Sequence, residues 1–431
     1  MEEIKPREGR LQGQQRALLI GTYSSESKTK STCLEHLEEL ESLGDTYGLI
    51  TIVKLSCPLR KKEAGTYLGS GKIEEIHEMI EKEGLDLVVF DDEILPQQQR
   101  NLEKILNVTV IDRTELILEV FAQRAQTKEA KIQIELASFQ YQLPRLRRLW
   151  THLHRQRSGG ATGGFVKGEG EKQIELDRRI LRRRIESLQK DLEKVKRQRK
   201  TQRSLREKTR IPTFAIIGYT NAGKSTLLKA FTDAEVLVED KLFATLDPTS
   251  RKFILPNNQA ILLIDTVGLI RKIPHQLVAA FKSTLEEAVQ ADILLHIVDA
   301  SSPYALSQVD ATLGVLKELG AAAHPMITAL NKIDRVSDPT ILQKLRIKCR
   351  KTVKVSTLTR EGFEELQEKM MQEVSHLHKK VRLRIPQSHY ELVSEIRGAG
   401  NILSCEYEEN DILLEAEIPH HLERKVFHFL S

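Results

Sequence analysis

The sequence has little of what marks secreted or membrane proteins. It has four cysteines in 431 residues, Cys33, Cys57, Cys349 and Cys405, and none is paired in spacing. That argues against a disulfide framework and against a cysteine-based zinc site. A reducing, cytoplasmic compartment is expected. Aromatic residues make up only 5%, and Trp150 is the single tryptophan. No apolar run approaches the ~18 residues of a membrane span. The N-terminal stretch Met1-Glu2-Glu3-Ile4-Lys5-Pro6 is charged and lacks the apolar segment of a signal peptide. What is present is a globular composition, 40% hydrophobic and 29% charged, which argues against disorder. At ~150 residues per domain, the length suggests about three domains.

The charge is unevenly spread. Between Pro144 and Arg210 there are 22 Lys or Arg against 8 Asp or Glu, a net +14, within a chain total of +5; the other residues therefore sum to −9. One segment carries the whole positive excess. Clustered positive charge is the footprint of a polyanionic partner, with nucleic acid the obvious candidate, against the blander alternative of a solvated helix face.

Residues 1–115 read as an N-terminal α/β unit. The apolar runs Ala17–Gly21, Leu49–Val53, Leu85–Phe90 and Val108–Ile111 alternate with the helical spacings Leu34–Leu43, Ile73–Ile80 and Pro96–Leu106. Such alternation predicts a parallel sheet flanked by helices. Residues 116–210 read as a long helical pair. Leu118, Phe121, Ala125, Ile132, Leu136, Phe139 and Leu143 predict one helix from Thr114 that Pro144 stops. A glycine-rich loop, Ser158–Gly170, leads to a second helix over about Glu171–Arg206. Ile174, Leu181, Ile185, Leu188, Leu192 and Val195 give that helix a narrow, coiled-coil-like seam. An antiparallel pair is expected. Residues 211–380 form a third unit with a βα pattern. Residues 381–431 form a small α+β appendix, with a strand pair around Glu409-Asn410-Asp411.

The third unit carries the chemistry. Gly218-Tyr219-Thr220-Asn221-Ala222-Gly223-Lys224-Ser225 fits G-x-x-x-x-G-K-[ST], after the apolar run Phe214–Ile217 and before a predicted helix. Its glycines let backbone N–H groups face phosphate oxygens. Lys224 is placed to reach the β- and γ-phosphates, and the Ser225 hydroxyl to bind Mg²⁺. A second strand, Ile261–Ile264, ends in Asp265-Thr266-Val267-Gly268, with the carboxylate suited to the Mg²⁺ shell through water and the Gly268 N–H suited to the γ-phosphate. A further strand, Met326–Leu330, runs into Asn331-Lys332-Ile333-Asp334. This motif selects the base. The Asp334 carboxylate can accept both hydrogen bonds from the N1–H and 2-amino group of guanine; adenine offers neither donor, which leaves a buried carboxylate unpaired at ~1–3 kcal/mol. The Lys332 stem can pack over the base. Ser356-Thr357-Leu358 follows a last strand and is placed at the guanine rim. Four motifs in this order, each at a strand end, predict a GTP-binding domain.

Hydrolysis of GTP to GDP and phosphate needs positioning and charge neutralisation. Lys224, Gly268 and a threonine of the segment Leu242-Phe243-Ala244-Thr245-Leu246-Asp247-Pro248-Thr249 are the catalytic candidates. By chemistry alone, both Thr245 and Thr249 qualify as the GTP-state Mg²⁺ ligand. Many GTPases place a water-orienting Gln directly after D-x-x-G. Here Leu269 stands there, so slow intrinsic turnover is expected, with the water oriented by backbone, another side chain or a partner. Asn221 admits K⁺ as an additional catalytic cation; an Asn in such a loop also makes local hydrogen bonds.

At this point the sequence resembles the HflX family, in the Obg–HflX branch of translation-factor-related GTPases. The likeness extends beyond the nucleotide motifs. It includes Thr66-Tyr67-Leu68-Gly69-Ser70-Gly71-Lys72, Phe90-Asp91-Asp92-Glu93, Gln98–Glu103, Val110-Ile111-Asp112-Arg113-Thr114, Trp150-Thr151-His152-Leu153 and Leu176-Asp177-Arg178-Arg179, over roughly 15–420. The stretch Phe243–Thr249 is close to the family's switch sequence, and this resemblance assigns the Mg²⁺ ligand to Thr245. It implies a monomeric GTPase that binds the large ribosomal subunit, acting in ribosome splitting, rescue or assembly. In such proteins the N-terminal unit, helical pair and glycine loop approach ribosomal RNA; some relatives are also reported to bind ATP through the N-terminal domain. Three departures stand out. The family loop G-P-G-E-T-Q is here Gly168-Glu169-Gly170-Glu171-Lys172-Gln173, without its proline and with an added charge. The rim motif S-A is here Ser356-Thr357. Arg360 stands where glycine is usual.

Two other readings compete. A regulatory GTPase could dock protein effectors on the helical pair. RNA binding predicts steep salt dependence, whereas a protein-binding rod predicts little. An ATP-driven RNA remodeller would use the N-terminal unit, but Gly69-Ser70-Gly71-Lys72 falls short of a phosphate-loop motif. Trp150, His152 and His154 read as packing or RNA-stacking residues rather than metal ligands, because no acidic cluster accompanies them.

Overall fold

The computed structural model describes residues 14–24, 29–145, 167–209, 211–232, 242–243, 249–272, 289–408 and 410–430. The glycine-rich stretch up to Val166, Trp150, His152, His154 and the segment Ala244–Pro248, with Thr245, lie outside them. The chain divides into two compact units, with the boundary after Lys196.

In the first unit, β1 (Arg16–Tyr23), α1 (Lys30–Tyr47), β2 (Ile50–Pro58), α2 (Ser70–Glu83), β3 (Leu87–Phe90), α3 (Pro96–Leu106) and β4 (Thr109–Asp112) alternate along the chain. The four strands form a parallel sheet of order β2-β1-β3-β4. Its centre is fully apolar, as parallel strands covered on both faces require. Leu18, Ile20, Val88, Phe90 and Val110 are buried in one cluster with Ile73, Ile76 and Leu102 of the helices.

Charged groups are buried at the carboxyl ends of these strands. Arg113 pairs with Asp91 and Glu39, both at 2.9 Å. Asp112 caps α4 (Arg113–Arg124) by accepting from the Glu115 N–H, and it also accepts from Tyr141 Oη at 2.9 Å and Arg145 Nη2 at 3.3 Å. Burial pushes the Asp112 carboxyl up to about 6, against the opposing charge of Arg145. These contacts give a packing role to two of the sequence blocks that carried the family resemblance.

The first predicted long helix is two helices. α4 ends at Arg124, Ala125 is extended, and α5 (Lys128–Gln142) begins afresh. The cause is local: the Thr127 hydroxyl accepts from the Ala130 N–H at 3.1 Å and caps a new N-terminus. The second long helix, α6 (Lys167–Thr209), starts earlier than expected and takes in Gly168 and Gly170. Its Leu181, Leu188 and Leu192 pack with Ile132, Leu136 and Phe139 of α5. Arg184 pairs with Glu135 at 2.9 Å beside that seam.

In the second unit, the six-stranded sheet has the order β10-β9-β8-β5-β7-β6. These are β5 (Thr213–Gly218), β6 (Thr249–Ile254), β7 (Ala260–Asp265), β8 (Ile293–Asp299), β9 (Met326–Asn331) and β10 (Thr352–Lys354). All neighbours are parallel except β6, an antiparallel edge strand on β7. The helices are α7 (Lys224–Thr232), α8 (Ala305–Glu318), α9 (Pro339–Lys348) and α10 (Phe363–His376). α7 and α10 pack on the face carrying Phe214, Ile216, Leu295 and Ile327.

The C-terminal appendix is larger than a strand pair. β11 (His378–Pro386), β12 (Asn401–Glu408) and β13 (Asp411–Pro419) form an antiparallel sheet with β13 in the middle. α11 (Tyr390–Ala399) and α12 (His420–Val426) share its core, with Ile396 and Leu422 among the strand residues Leu383, Ile412 and Leu414. Among the described residues, no helix is long and apolar enough to cross a membrane.

Candidate nucleotide site

The parallel strands of the second unit bring four loops to one edge, where open α/β sheets bind ligands. The first loop joins β5 to α7. Gly218 has φ 149°, Asn221 φ 58° and Gly223 φ 96°, so the chain curls through conformations that favour glycine. Space is as tight as the backbone. A Cβ on Gly218 would lie 2.3 Å from the Ile297 carbonyl oxygen, and one on Gly223 would lie 2.2 Å from Asn331 Nδ2.

Lys224 is buried, and its Nζ donates to the Tyr219 carbonyl at 2.7 Å. Burial pulls its ammonium down to about 8, opposed by the nearby Asp265 charge. Ser225 Oγ donates to Asp265 Oδ2 at 2.7 Å. Hydroxyl and carboxylate therefore converge at the start of α7, a donor set that suits a hard divalent cation with water in its shell. Among the described residues, no cluster of three His, Cys, Asp or Glu could hold a metal by itself; a nucleotide-bound cation, which relies on phosphate oxygens, does not need one.

The loop after β7 is locked to the phosphate loop. Thr266 is buried and its hydroxyl donates to the Ile216 carbonyl at 2.7 Å, so it braces β5 rather than facing a ligand. Val267 is buried beside it. A Cβ on Gly268 would lie 2.8 Å from Thr220 Cγ2 and 3.0 Å from Lys224 Nζ. Leu269, at the position where many GTPases carry Gln, is buried. Its N–H donates to the Gly218 carbonyl at 3.0 Å, and its carbonyl accepts from the Thr220 N–H at 2.8 Å. The Tyr219 hydroxyl accepts from the Arg271 N–H at 2.9 Å. Ala222 is buried in the loop core, as is Phe243 at the start of the switch segment. Ala244, Thr245, Leu246 and Asp247 lie outside the described residues.

The loops after β9 and β10 are tied to the phosphate loop by Asn331. Its Nδ2 donates to the Ala222 carbonyl at 2.8 Å, and its Oδ1 accepts from the Thr357 N–H at 3.1 Å. The buried Ser356 donates to Asp334 Oδ1 at 2.6 Å and fixes that carboxylate. Ile333 donates through its N–H to the Val355 carbonyl at 3.4 Å, joining β10's end to the same motif. Leu358 is exposed. Arg360 keeps φ 64°, the left-handed backbone that suits the family's glycine, while carrying a side chain.

Two residues were missed from sequence. Asp299, at the end of β8, pairs with Lys332 Nζ at 2.7 Å and so orients that lysine. Its signal was a carboxylate at the carboxyl end of a buried strand. His296, also on β8, is fully enclosed; burial, helped by the Lys224 charge, pulls its imidazole down to about 4 and keeps it neutral.

Known proteins share this arrangement. Three family models match in order along the chain: "GTP-binding GTPase N-terminal" over residues 34–122, "GTP-binding GTPase Middle Region" over 124–206 and "50S ribosome-binding GTPase" over 213–332. The GTPase HflX of Chlamydia pneumoniae is 49% identical, over 96% of this chain and 88% of that protein. The chain belongs to the HflX GTPase family. The HflX of Magnetococcus marinus is 44% identical, over 94% of this chain and 93% of its own. The HflX of Escherichia coli K12 is 43% identical, over 75% and 74%. A GTP-binding protein of Sulfolobus solfataricus, solved with GDP, is 26% identical, covers 84% of this chain and 99% of its own, and has a TM-score of 0.44. As an HflX GTPase, the chain binds GTP and GDP and hydrolyses GTP.

Proposed function

We propose that this HflX GTPase binds the large ribosomal subunit and uses GTP hydrolysis to switch that affinity, in ribosome splitting, rescue or assembly. The observation that carries this reading is the use of α6. Its apolar seam is spent on α5, through Leu181, Leu188 and Leu192. Arg179, Arg182, Arg183 and Lys190 are exposed instead. The seam is thus taken within the chain, and the exposed cations suit an RNA backbone. The printed description of the matching nucleotide-domain family, a 50S ribosome-binding GTPase, points the same way. RNA contacts are assigned to the basic helix-loop-helix segment 116–210, and the protein is taken to act as a monomer in the cytoplasm. The same reading keeps four functional segments, 1–115, 116–210, 211–380 and 381–431.

In the nucleotide site, the loop Gly218–Ser225 holds the phosphates, and Asn331, Lys332, Asp334 and the Ser356–Leu358 loop hold guanine. Ser225 and, with GTP, Thr245 are the protein ligands for magnesium, and Asp265 acts through water. Magnesium, when bound, neutralises charge on the β- and γ-phosphate oxygens. Water attacks the γ-phosphorus, the bond to the bridging oxygen breaks, and GDP and phosphate leave. Lys224 and the Gly268 N–H stabilise the charge that builds. Leu269 cannot orient the water, so intrinsic turnover is slow until the partner or a K⁺ ion at Asn221 contributes.

Co-sedimentation with purified large subunits, in a non-hydrolysable GTP analogue or in GDP, across a salt series, tests the reading. Binding that needs the analogue and falls steeply with salt supports it. No binding in either state rejects it in favour of protein effectors. Equal hydrolysis in Na⁺ and K⁺ rejects the role of Asn221.

A further inference from the structure

The edge strand β6 brings a second threonine to the magnesium side of the site. β6 runs antiparallel to β7, and Thr249 is the residue directly opposite Asp265. β7 in turn places Asp265 opposite Ile216 of β5. Ile216, Asp265 and Thr249 therefore form one row across three strands. Directly opposed residues point to the same face of a sheet, with Cβ atoms ~5 Å apart. The face is fixed by the rest of the strand, because Phe253, four residue pairs further along β6 and so on the same face, packs on the cluster of Ile216, Leu227 and Leu263. That is the face covered by α7, whose first turn carries Ser225, bonded to Asp265 Oδ2 at 2.7 Å.

The Thr249 Oγ1 atom is buried and has no hydrogen-bond partner among the described residues. A buried hydroxyl without a partner costs ~1–3 kcal/mol. A valine would fill this position on an edge strand without that cost. The hydroxyl at this position is thus open to a polar partner beyond the described residues, such as a bound water.

Resting on the magnesium–nucleotide reading of the site, we infer that Thr249 is a positioning residue for the metal. Its hydroxyl takes a hydrogen bond with a metal-bound water on the Asp265 side, outside the direct ligand set of Ser225 and Thr245. Groups beyond the direct ligands orient metal sites and commonly carry ~10-fold in metal affinity. Because Thr249 is held by strand pairing, the contact does not wait for GTP and operates with GDP bound.

The test is release of a fluorescent GDP analogue from the full chain across a magnesium titration, with EDTA as the zero point. Thr249→Val is expected to move the magnesium midpoint for slow release up by about 10-fold. Thr249→Ser, which keeps the hydroxyl, stays within about 2-fold of wild type. All three proteins release at one common rate in EDTA. An unchanged midpoint in Thr249→Val overturns the inference. So does faster release by Thr249→Val in EDTA, which would mark a packing defect in the nucleotide loop. Release from wild type that ignores magnesium altogether would overturn the magnesium reading itself, and this inference with it.

Discussion

Lys224 allows a prediction that ties burial to affinity. Its Nζ is enclosed and held by one carbonyl, that of Tyr219. Desolvation therefore outweighs the attraction of Asp265 and brings the ammonium down to about 8. Phosphates set against it favour the charged form and return it above ~10, the ordinary lysine range. Nucleotide binding must then take up protons. Uptake is ~0.1 proton at pH 7, ~0.5 at pH 8 and ~0.9 at pH 9. The same linkage weakens GDP binding ~10-fold between pH 7 and pH 9, after a flat region below. Stability of the nucleotide-free protein moves the other way. A lysine depressed in the folded state binds fewer protons than in the unfolded chain, so its contribution to stability rises with pH from about 8 to ~10.5. The assay is calorimetry of GDP binding in buffers of differing ionisation enthalpy, with affinity followed over the same range. Uptake near zero at pH 8.5 would refute the reasoning. So would an unchanged pH slope of stability in Lys224→Met.

Three other outcomes are expected. Ser356→Ala removes the charge-assisted bond to Asp334, worth ~1.5–3 kcal/mol; fluorescent GDP titration should give roughly 10- to 100-fold weaker binding. His296 is depressed to about 4 when folded, so the unfolded chain takes up its proton first and stability falls as pH drops from ~6.5 to 4. Denaturant titrations should lose about 3 kcal/mol over that window, and His296→Leu should flatten this part of the profile. Leu269→Gln buries an amide where a side chain is enclosed; the melting temperature should fall by a few degrees with no gain in GTP turnover, and a 10-fold faster rate would contradict the packing role of this side chain.

The central strands of both parallel sheets were legible because each is buried on both faces and reads as an unbroken apolar run. The nucleotide motifs were legible because each follows such a run. The edge strands β6 and β11 were not. β6 has the charged Arg251 and Lys252, and β11 alternates Lys380, Arg382 and Arg384 with Val381, Leu383 and Ile385. Their strand character comes from pairing with β7 and β13 rather than from composition. The break between α4 and α5 rested on one hydroxyl, Thr127, inside an otherwise helical spacing. The pairing of Asp299 with Lys332 joins segments distant in sequence, and Thr249, a candidate by chemistry, owes its place opposite Asp265 to register; spacing encodes neither. The buried ions around Asp91, Asp112 and Arg113 were visible as motif blocks, but their mutual pairing needed the strand order.

The phosphate loop is where the two halves of the site meet. On one side, Asn331 joins it to the guanine loops through Ala222 and Thr357. On the other, Leu269 joins it to the loop after β7 through Gly218 and Thr220. On the proposed assignment, base recognition and phosphate sensing share this one loop, and small-residue space at Gly223 and Gly268 sets how closely each side approaches it. Any movement of Gly268 toward a γ-phosphate must either strain the Leu269 bonds or carry the following residues along. The second course is also resisted, because Arg271 is attached to Tyr219 through its backbone and to Ser307 of α8 through its side chain. The Leu269 bonds to Gly218 and Thr220 use backbone atoms that a glutamine would supply equally, so what the leucine itself adds is a buried apolar side chain, and orienting water falls to groups outside that position.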